Sequence, residues 1–213
     1  MELSVWLTYV LAAIILCVSP GPGVFSSLSS GLHHGFRLGI WNAVGMQFAS
    51  LIVVIVVSVG LGGLLLASES LFNAVKWLGV AYLVYLGIAT WRAPARGFED
   101  TADVRVHSAR EIFTRGFFVN ITNPKGIIFF AAVLPQFIDL ARPQPQQYAI
   151  LAATTFAVDL VVMGAYTALA ARVLRVMRDP GMLRWINRAL GGAFVAAGVA
   201  LASFRRAGSA AAP

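Results

Sequence analysis

Charged residues are scarce in this sequence. Of its 213 residues, 12% are Asp, Glu, Lys or Arg, whereas 59% are hydrophobic. A water-soluble domain carries about 25% charged residues, because its surface must be hydrated. The shortage excludes an ordinary soluble protein and predicts an integral membrane protein, of a length that suits one compact domain.

Cysteine and lysine are also rare. Cys17 is the only cysteine and lies in an apolar run, which excludes an internal disulfide bond and a cysteine cluster. The only lysines are Lys76 and Lys125, so most of the positive charge comes from arginines in short connections between apolar runs. This distribution favours a membrane-topology signal over a nucleic-acid-binding surface.

Six apolar runs predict transmembrane helices, each of which needs about 20 residues to cross a bilayer. The first and fourth runs are interrupted by proline. The runs lie at 3–31, 39–67, 71–91, 116–138, 148–171 and 189–204. We therefore predict an all-α integral membrane protein with six transmembrane helices, of which helices one and four are broken at Pro.

Basic residues are distributed unequally between the two ends of these helices. The connections after helices one, three and five carry eleven Arg residues, whereas the opposite side carries four Lys or Arg residues. Connections rich in Lys and Arg remain in the cytoplasm. Both termini are therefore predicted to lie outside, with the 92–115 loop inside.

The two halves of the chain resemble each other. Residues 76–82 (KWLGVAY) match residues 188–194 (RALGGAF), and each half begins with a proline-interrupted run. Since each half has three spans, the second half is inverted relative to the first, a pattern typical of secondary transporters. We predict one membrane domain, composed of a first repeat at 1–91, a cytoplasmic loop at 92–115, a second repeat at 116–206 and a disordered tail at 207–213.

The first interruption has the sequence Ser19-Pro20-Gly21-Pro22. Proline removes a backbone donor and clashes with the preceding turn, so this segment is predicted to unwind the helix. Unwound backbone is tolerated at membrane depth only where it is buried in protein or lines a wet cavity. A helix that restarts after Pro22 presents free N–H groups, which suit a substrate carboxylate. A simple packing kink is the alternative interpretation.

The second interruption contains Asn120, Asn123, Pro124 and Lys125. Lys125 lies near the middle of its span, where an ammonium group costs about 2.5–3.5 kcal/mol on insertion scales. In the first turn of a helix it also opposes the helix dipole. Because this position is unfavourable for a cation, we predict that Lys125 pairs with a carboxylate, either of the substrate or of the protein. We include all four residues in the candidate substrate-binding site.

Asp159 is the only acidic residue in the middle of a predicted span. It could form a locked ion pair with Lys125, bind the ammonium group of a substrate, or take and release a coupling proton. Ionisable residues inside a membrane are functional by default. The offset between the matching segments makes Gln47 the equivalent of Asp159, so Gln47 is a further candidate for substrate binding. An interhelical hydrogen bond is the alternative role for Gln47.

Taken together, these motifs resemble the lysine-exporter (LysE) superfamily, and within it the RhtB branch. The resemblance rests on the two proline-broken segments and on residues 76–87, 134–138 and 158–160. It implies an efflux carrier of the bacterial cytoplasmic membrane that exports small neutral amino acids or derivatives, such as homoserine, homoserine lactone and threonine. It also implies proton antiport and allows a homodimer. Gly23 departs from the family pattern, because many members have Asn there.

Other functions remain as alternatives. Export of a metal cation would require several carboxylate, His or Cys ligands at mid-membrane depth, and export of basic amino acids such as lysine or arginine is a further possibility. A membrane enzyme would need a nucleophile with its base, but all three histidines lie in loops or at span ends. A scaffold would have no reason to bury one Lys and one Asp. We predict no catalytic residue, resident metal or cofactor.

Overall fold

The structure is a computed structural model that describes residues 1–67, 69–94, 108–139, 141–177 and 179–203. Throughout these residues the regular secondary structure is helical, which confirms the predicted all-α class. The predicted tail at 207–213 and the greater part of the predicted cytoplasmic loop, residues 95–107, lie outside the described residues. So do five arginines used in the topology prediction, namely Arg96, Arg105, Arg178, Arg205 and Arg206.

Three helices form the first half of the chain. They are α1 (Leu3–Val18), α2 (Pro22–Ala67) and α3 (Glu69–Trp91). The gap between α1 and α2 coincides with the predicted interruption at Pro20, because Ser19 leaves the helical conformation with φ −64° and ψ 128°. The first break therefore lies where the sequence predicts it.

Helix α2 is a hairpin of two arms rather than one straight rod. Gly35 has φ 66° and ψ 178°, a backbone conformation that glycine adopts readily because it has no Cβ atom. Ser26 Oγ donates a hydrogen bond of 2.9 Å to Asn42 Oδ1, whereas 16 residues of straight helix would separate the two by about 24 Å. The chain therefore reverses at Gly35, between a short arm at 22–34 and a long arm at 36–67.

The second half of the chain contains α4 (Ala109–Ile121), α5 (Pro124–Val133), a 3-10 turn (Leu134–Phe137), α6 (Gln144–Ala168), α7 (Ala170–Met177) and α8 (Pro180–Ser203). Helix α4 begins seven residues before the apolar run at 116, because Ser108 caps it by accepting a hydrogen bond from the Glu111 backbone N–H. Helices α4 and α5 meet at an angle of 54°. Their junction is the second predicted interruption.

Three of the described helices are long and apolar enough to cross a membrane. They are Pro22–Gly60, Asn73–Trp91 and Gln144–Ala168, and the bent pair Ala109–Ile121 with Pro124–Phe137 would make a fourth. Helix α1 is apolar but shorter. The described helices thus fit a membrane protein, while the inverted arrangement of six spans stays a prediction.

Small residues allow the helices to approach closely. A Cβ atom on Gly45 would overlap the backbone carbonyl of Phe113, and one on Gly116 would overlap that of Asn42. Both contacts join the long arm of α2 to α4. Helices α3 and α8 meet in the same way through Gly87 and Gly191. Close contact at glycines is the usual mode of helix association in membranes.

We expect Gly116→Ala to weaken the contact between α2 and α4, because the added methyl group has no space beside the Asn42 carbonyl. Overpacking of this kind costs about 1–3 kcal/mol. The melting temperature of the detergent-purified protein should therefore fall by about 2–10 °C.

Gly60→Ala provides the matched control, since nothing lies within 4 Å of a Cβ atom at Gly60. This variant should melt at or slightly above the wild-type temperature, because Ala is the better helix former. Equal melting temperatures for the two variants would contradict the close packing at Gly116.

Candidate functional site

The two broken helices meet at one point in the bundle, and Lys125 joins them. Its Nζ atom donates hydrogen bonds to the backbone carbonyls of Leu16, at 3.0 Å, and of Ser19, at 2.9 Å. The last carbonyls of a helix have no partner within that helix, and a cation is favourable there. The backbone of Lys125 thus lies at the start of α5, where the helix dipole disfavours a cation. Its ammonium group lies at the C-terminal end of α1, where a cation is favoured.

The start of α5 is shaped by its own sequence. The Asn123 side chain caps the helix by accepting a hydrogen bond of 3.1 Å from the Lys125 backbone N–H. Pro124 occupies the first helical position, where a missing N–H costs nothing. Pro22 has the same position at the start of α2. Each of the two breaks is therefore followed by a regular helix N-terminus.

A cavity of about 60 Å³ lies between the two breaks, a size that suits a small molecule or a few waters. By their place in the first turn, the N–H groups of Gly23, Val24 and Gly126 have no partner in their own helices, and all three residues line the cavity. Six of the predicted site residues also line it: Ser19, Gly21, Asn120, Asn123, Lys125 and Asp159.

Asp159 enters the cavity from α6 and is held from behind by Gln47. Gln47 Nε2 donates a hydrogen bond of 2.6 Å to Asp159 Oδ2. The Asp159 side chain is buried, with 8% exposure, and Gln47 is fully buried. The two residues that the repeat offset makes equivalent are therefore in direct contact. This hydrogen bond occupies one carboxylate oxygen of Asp159, and the Cys17 side chain lies within hydrogen-bonding reach of the same carboxylate.

Lys125 and Asp159 line the same cavity without forming an ion pair. Arg142, by contrast, pairs with the carboxylates of Glu2 and Asp139 within 4 Å. Lys125 instead bonds to the carbonyls of α1, and Asp159 to Gln47. An amino-acid substrate could therefore occupy the space between one cation and one anion.

Asn120 also joins two helices, whereas the other four predicted residues are not part of the lining of this cavity. Asn120 Nδ2 donates hydrogen bonds of 2.8 Å to the Met46 carbonyl and to Ser50 Oγ, so it fastens α4 to the long arm of α2. Pro20 lines a separate apolar cavity. Pro22, Pro124 and Gln47 do not line the cavity between the breaks. Their roles are to begin helices and to support Asp159.

Several residues on the cavity wall were not selected from the sequence. Cys17, Met46, Ser50 and Thr155 all line it. Cys17 is three residues before Pro20, on the last turn of α1, and this spacing could have identified it as part of the break. Ser50 and Thr155 carry no signal of that kind, because serine and threonine are common in membrane helices.

Two buried side-chain atoms have no hydrogen-bond partner among the described residues. They are Ser19 Oγ, on the cavity wall, and Gln47 Oε1, behind Asp159. Buried polar atoms are almost always paired, so an unpaired one needs an explanation. A ligand or an ordered water in the cavity would supply the partner for Ser19 Oγ.

Known proteins resemble this chain over nearly its whole length. The family model described as LysE type translocator matches residues 14–204. A homoserine/homoserine lactone efflux protein of Salmonella typhimurium is 40% identical over 202 residues, which cover 95% of this chain and 98% of that protein. An uncharacterized membrane protein of Vibrio cholerae is 37% identical over 95% of this chain and 98% of its own length. A leucine efflux protein of Klebsiella pneumoniae is 28% identical over 87% and 88%.

No solved structure matches this chain. The family match nevertheless covers far more than half of the sequence and includes both breaks, Lys125 and Asp159. The apolar helices and the buried charged residues agree with a membrane transport protein. The chain belongs to the LysE-type translocator family.

Proposed function

We propose that this protein exports small neutral amino acids or their derivatives, such as homoserine, homoserine lactone and threonine, from the cytoplasm by exchange for protons. The observation that carries the proposal is the cavity at which two broken helices, Lys125 and Asp159 come together. The relative at 40% identity, named for homoserine and homoserine lactone efflux, supports this class of substrate. The protein is a carrier and not an enzyme.

The substrate carboxylate, or the carbonyl group of a lactone, binds to the helix N-termini at the cavity. The free N–H groups of Gly23, Val24 and Gly126 supply donors, and the helix dipoles favour negative charge at that point. An ammonium group has three N–H donors, and Lys125 uses two for the α1 carbonyls. The third remains for the substrate.

Asp159 couples transport to the proton gradient. The carboxylate oxygen that does not bond to Gln47 accepts either the ammonium group of the substrate or a proton, but not both. A proton that enters from outside therefore displaces the substrate, and a substrate that binds from the cytoplasm displaces the proton. Gln47 holds the carboxylate in place in both events. This competition produces antiport.

The two halves of the chain alternate access to this site. We assign six transmembrane helices as two inverted repeats: α1 with the short arm of α2, the long arm, and α3 in the first, then α4 with α5, α6, and α8 in the second. The hairpin at Gly35 and the bend between α4 and α5 support this assignment. Rocking of one repeat against the other would open the cavity to each side in turn.

The remaining parts of the proposal concern location and assembly. We assign both termini to the outside and the 92–115 loop to the cytoplasm of a bacterial cell, and the excess of arginine in one set of connections supports this assignment. The membrane is then the cytoplasmic membrane. A homodimer is compatible with this arrangement.

Counterflow in proteoliposomes tests the proposed function. Vesicles loaded with unlabelled homoserine are expected to accumulate labelled homoserine, and a pH gradient, acidic on the side corresponding to the periplasm, should drive homoserine out of the opposite compartment. Threonine and homoserine lactone should compete, whereas lysine should not. Preferential movement of lysine, or transport of a divalent cation in place of amino acids, would overturn the proposal.

Cys17 offers a second test of the site, because it is the only cysteine and lines the cavity. A small cationic methanethiosulfonate reagent should label Cys17 and block transport. Saturating homoserine should slow the labelling severalfold by occupying the same space. The unlabelled control is Cys17→Ala. Labelling at the same rate with and without homoserine would place substrate binding elsewhere.

A further inference from the structure

A second cavity also borders the first break, and it differs in chemistry from the first. Its volume is about 440 Å³, and its wall comes mainly from α6, α7 and α8. Leu169, Ile186 and Leu190 contribute apolar surface. The wall also contains Val18 and Pro20, which belong to the break itself. Residues of the first break thus line both cavities.

This second cavity is a groove that opens to the outside of the bundle. Trp185 and Leu169 line it and are 68% and 44% exposed. In a membrane protein an exposed apolar surface of this kind faces lipid. Tryptophan is enriched at the boundary between the hydrocarbon core and the headgroups. The groove therefore extends from the headgroup region into the apolar part of the bilayer.

Arg172 gives the groove a positive end. It is the one charged residue of the groove lining among the described residues, and no carboxylate in the described part of the chain pairs with it. It lies on the arginine-rich side of the predicted topology. Basic residues on the cytoplasmic side attract anionic lipid headgroups. The groove thus combines an apolar wall with one cation that no carboxylate in the described part of the chain pairs with.

We propose that this groove is a binding site for an anionic phospholipid. One acyl chain lies along Leu169, Ile186 and Leu190, and the headgroup phosphate accepts hydrogen bonds from Arg172. Trp185 covers the lipid near the headgroup. The site is distinct from the substrate cavity and does not depend on which molecule the protein transports.

Bound lipid would also stabilise the first break. Tyr166 lines the groove, and its hydroxyl donates a hydrogen bond of 2.8 Å to the carbonyl of Val18, the last residue of α1. A chain packed against Tyr166 and Pro20 limits the movement of the broken segment. Anionic lipid should therefore raise the melting temperature of the protein as well as bind to it.

Fluorescence quenching by brominated lipids measures binding directly. The test protein keeps Trp185 as its single tryptophan, and a reference protein keeps Trp77, which is 57% exposed on α3. Both are reconstituted in phosphatidylcholine vesicles with increasing mole fractions of brominated phosphatidylglycerol or brominated phosphatidylcholine. Trp185 should reach half-maximal quenching at an about fivefold lower fraction of phosphatidylglycerol, as expected for one basic contact. Trp77 lies beside Lys76, so it reports the preference caused by a nearby cation outside the groove, and this preference should not change when Arg172 is replaced.

Two arginine variants complete the experiment. Arg172→Gln should remove the preference for phosphatidylglycerol at Trp185. Arg184→Gln should keep it, because Arg184 bonds to the Pro180 carbonyl and does not line the groove. Equal midpoints for the two lipids in the unmodified background would overturn the proposal in favour of ordinary boundary lipid. Quenching of Trp185 that becomes weaker as the protein-to-lipid ratio rises would overturn it in favour of a second copy of the chain that covers the groove.

Discussion

Asp159→Asn is expected to abolish proton-driven export while exchange of substrate across the membrane continues. Asparagine cannot release a proton, so the variant should transport homoserine equally well with and without a pH gradient. The amide oxygen of Asn can still accept the hydrogen bond from Gln47 Nε2, which preserves the local structure. Loss of the charged partner should weaken substrate binding about 10- to 100-fold, the value of a hydrogen bond between charged groups.

Efflux and exchange in the same proteoliposome preparation measure these two effects separately. Asp139→Asn is the matched control, because the Asp139 carboxylate pairs with Arg142 outside the cavity. This control should retain both gradient-driven efflux and exchange. An Asp159→Asn variant whose export still follows the pH gradient would mean that Asp159 has only a structural role. The role of the cavity in substrate binding would remain to be judged from the Cys17 protection experiment.

Lys125→Ala is expected to impair both folding stability and transport. Without the ammonium group, the carbonyls of Leu16 and Ser19 at the buried end of α1 lose their hydrogen-bond donor. Leaving a buried acceptor unpaired costs about 1–3 kcal/mol, and more where the missing partner was charged. The two broken helices would also lose their direct link. We expect a clearly lower melting temperature in detergent and transport near background.

Lys125→Arg helps to separate the two roles of this residue. Arginine keeps the charge and can donate to the same carbonyls, so most of the stability should return. Its larger, planar guanidinium group cannot place a donor where the third N–H of the ammonium group meets the substrate in this small cavity. Homoserine affinity should therefore stay reduced. A Lys125→Ala protein that melts and transports like the wild type would contradict both roles. Reduced stability with unchanged homoserine affinity would limit Lys125 to the structural one.

The sequence was sufficient for the features that depend on local chemistry. Proline at positions 20, 22 and 124 cannot continue a helix, so both breaks could be located without coordinates. The long apolar runs predicted helices because a membrane leaves backbone groups no other partners. The repeat offset related Gln47 to Asp159, and the structure brings the two together in a hydrogen bond. Local rules and internal symmetry were enough for these elements.

The partners of Lys125 could not be predicted in this way. The sequence predicted a carboxylate of the substrate or of the protein, and the substrate carboxylate stays a prediction. Within the described protein the ammonium group lies against the carbonyls of Leu16 and Ser19, more than 100 residues away along the chain. A helix end attracts a cation through backbone groups, which leave no residue type in the sequence to mark them. The reversal between the runs at 3–31 and 39–67 was predicted, but the residue at which the chain turns was not. Gly35 stands in a polar segment with histidines, and its positive φ and the contact between Ser26 and Asn42 locate the turn.

The sequence by itself determined that this chain is a helical membrane protein with two broken helices, and that one lysine and one aspartate lie in the middle of apolar runs. These properties depend on composition and on the stereochemistry of proline, which act within a few residues. Only the tertiary structure decided that Lys125 binds the end of α1, that Asp159 is held by Gln47, and that the two charges face one cavity without touching. Those contacts join segments far apart in the chain, and their distances depend on how closely glycine-lined helices pack.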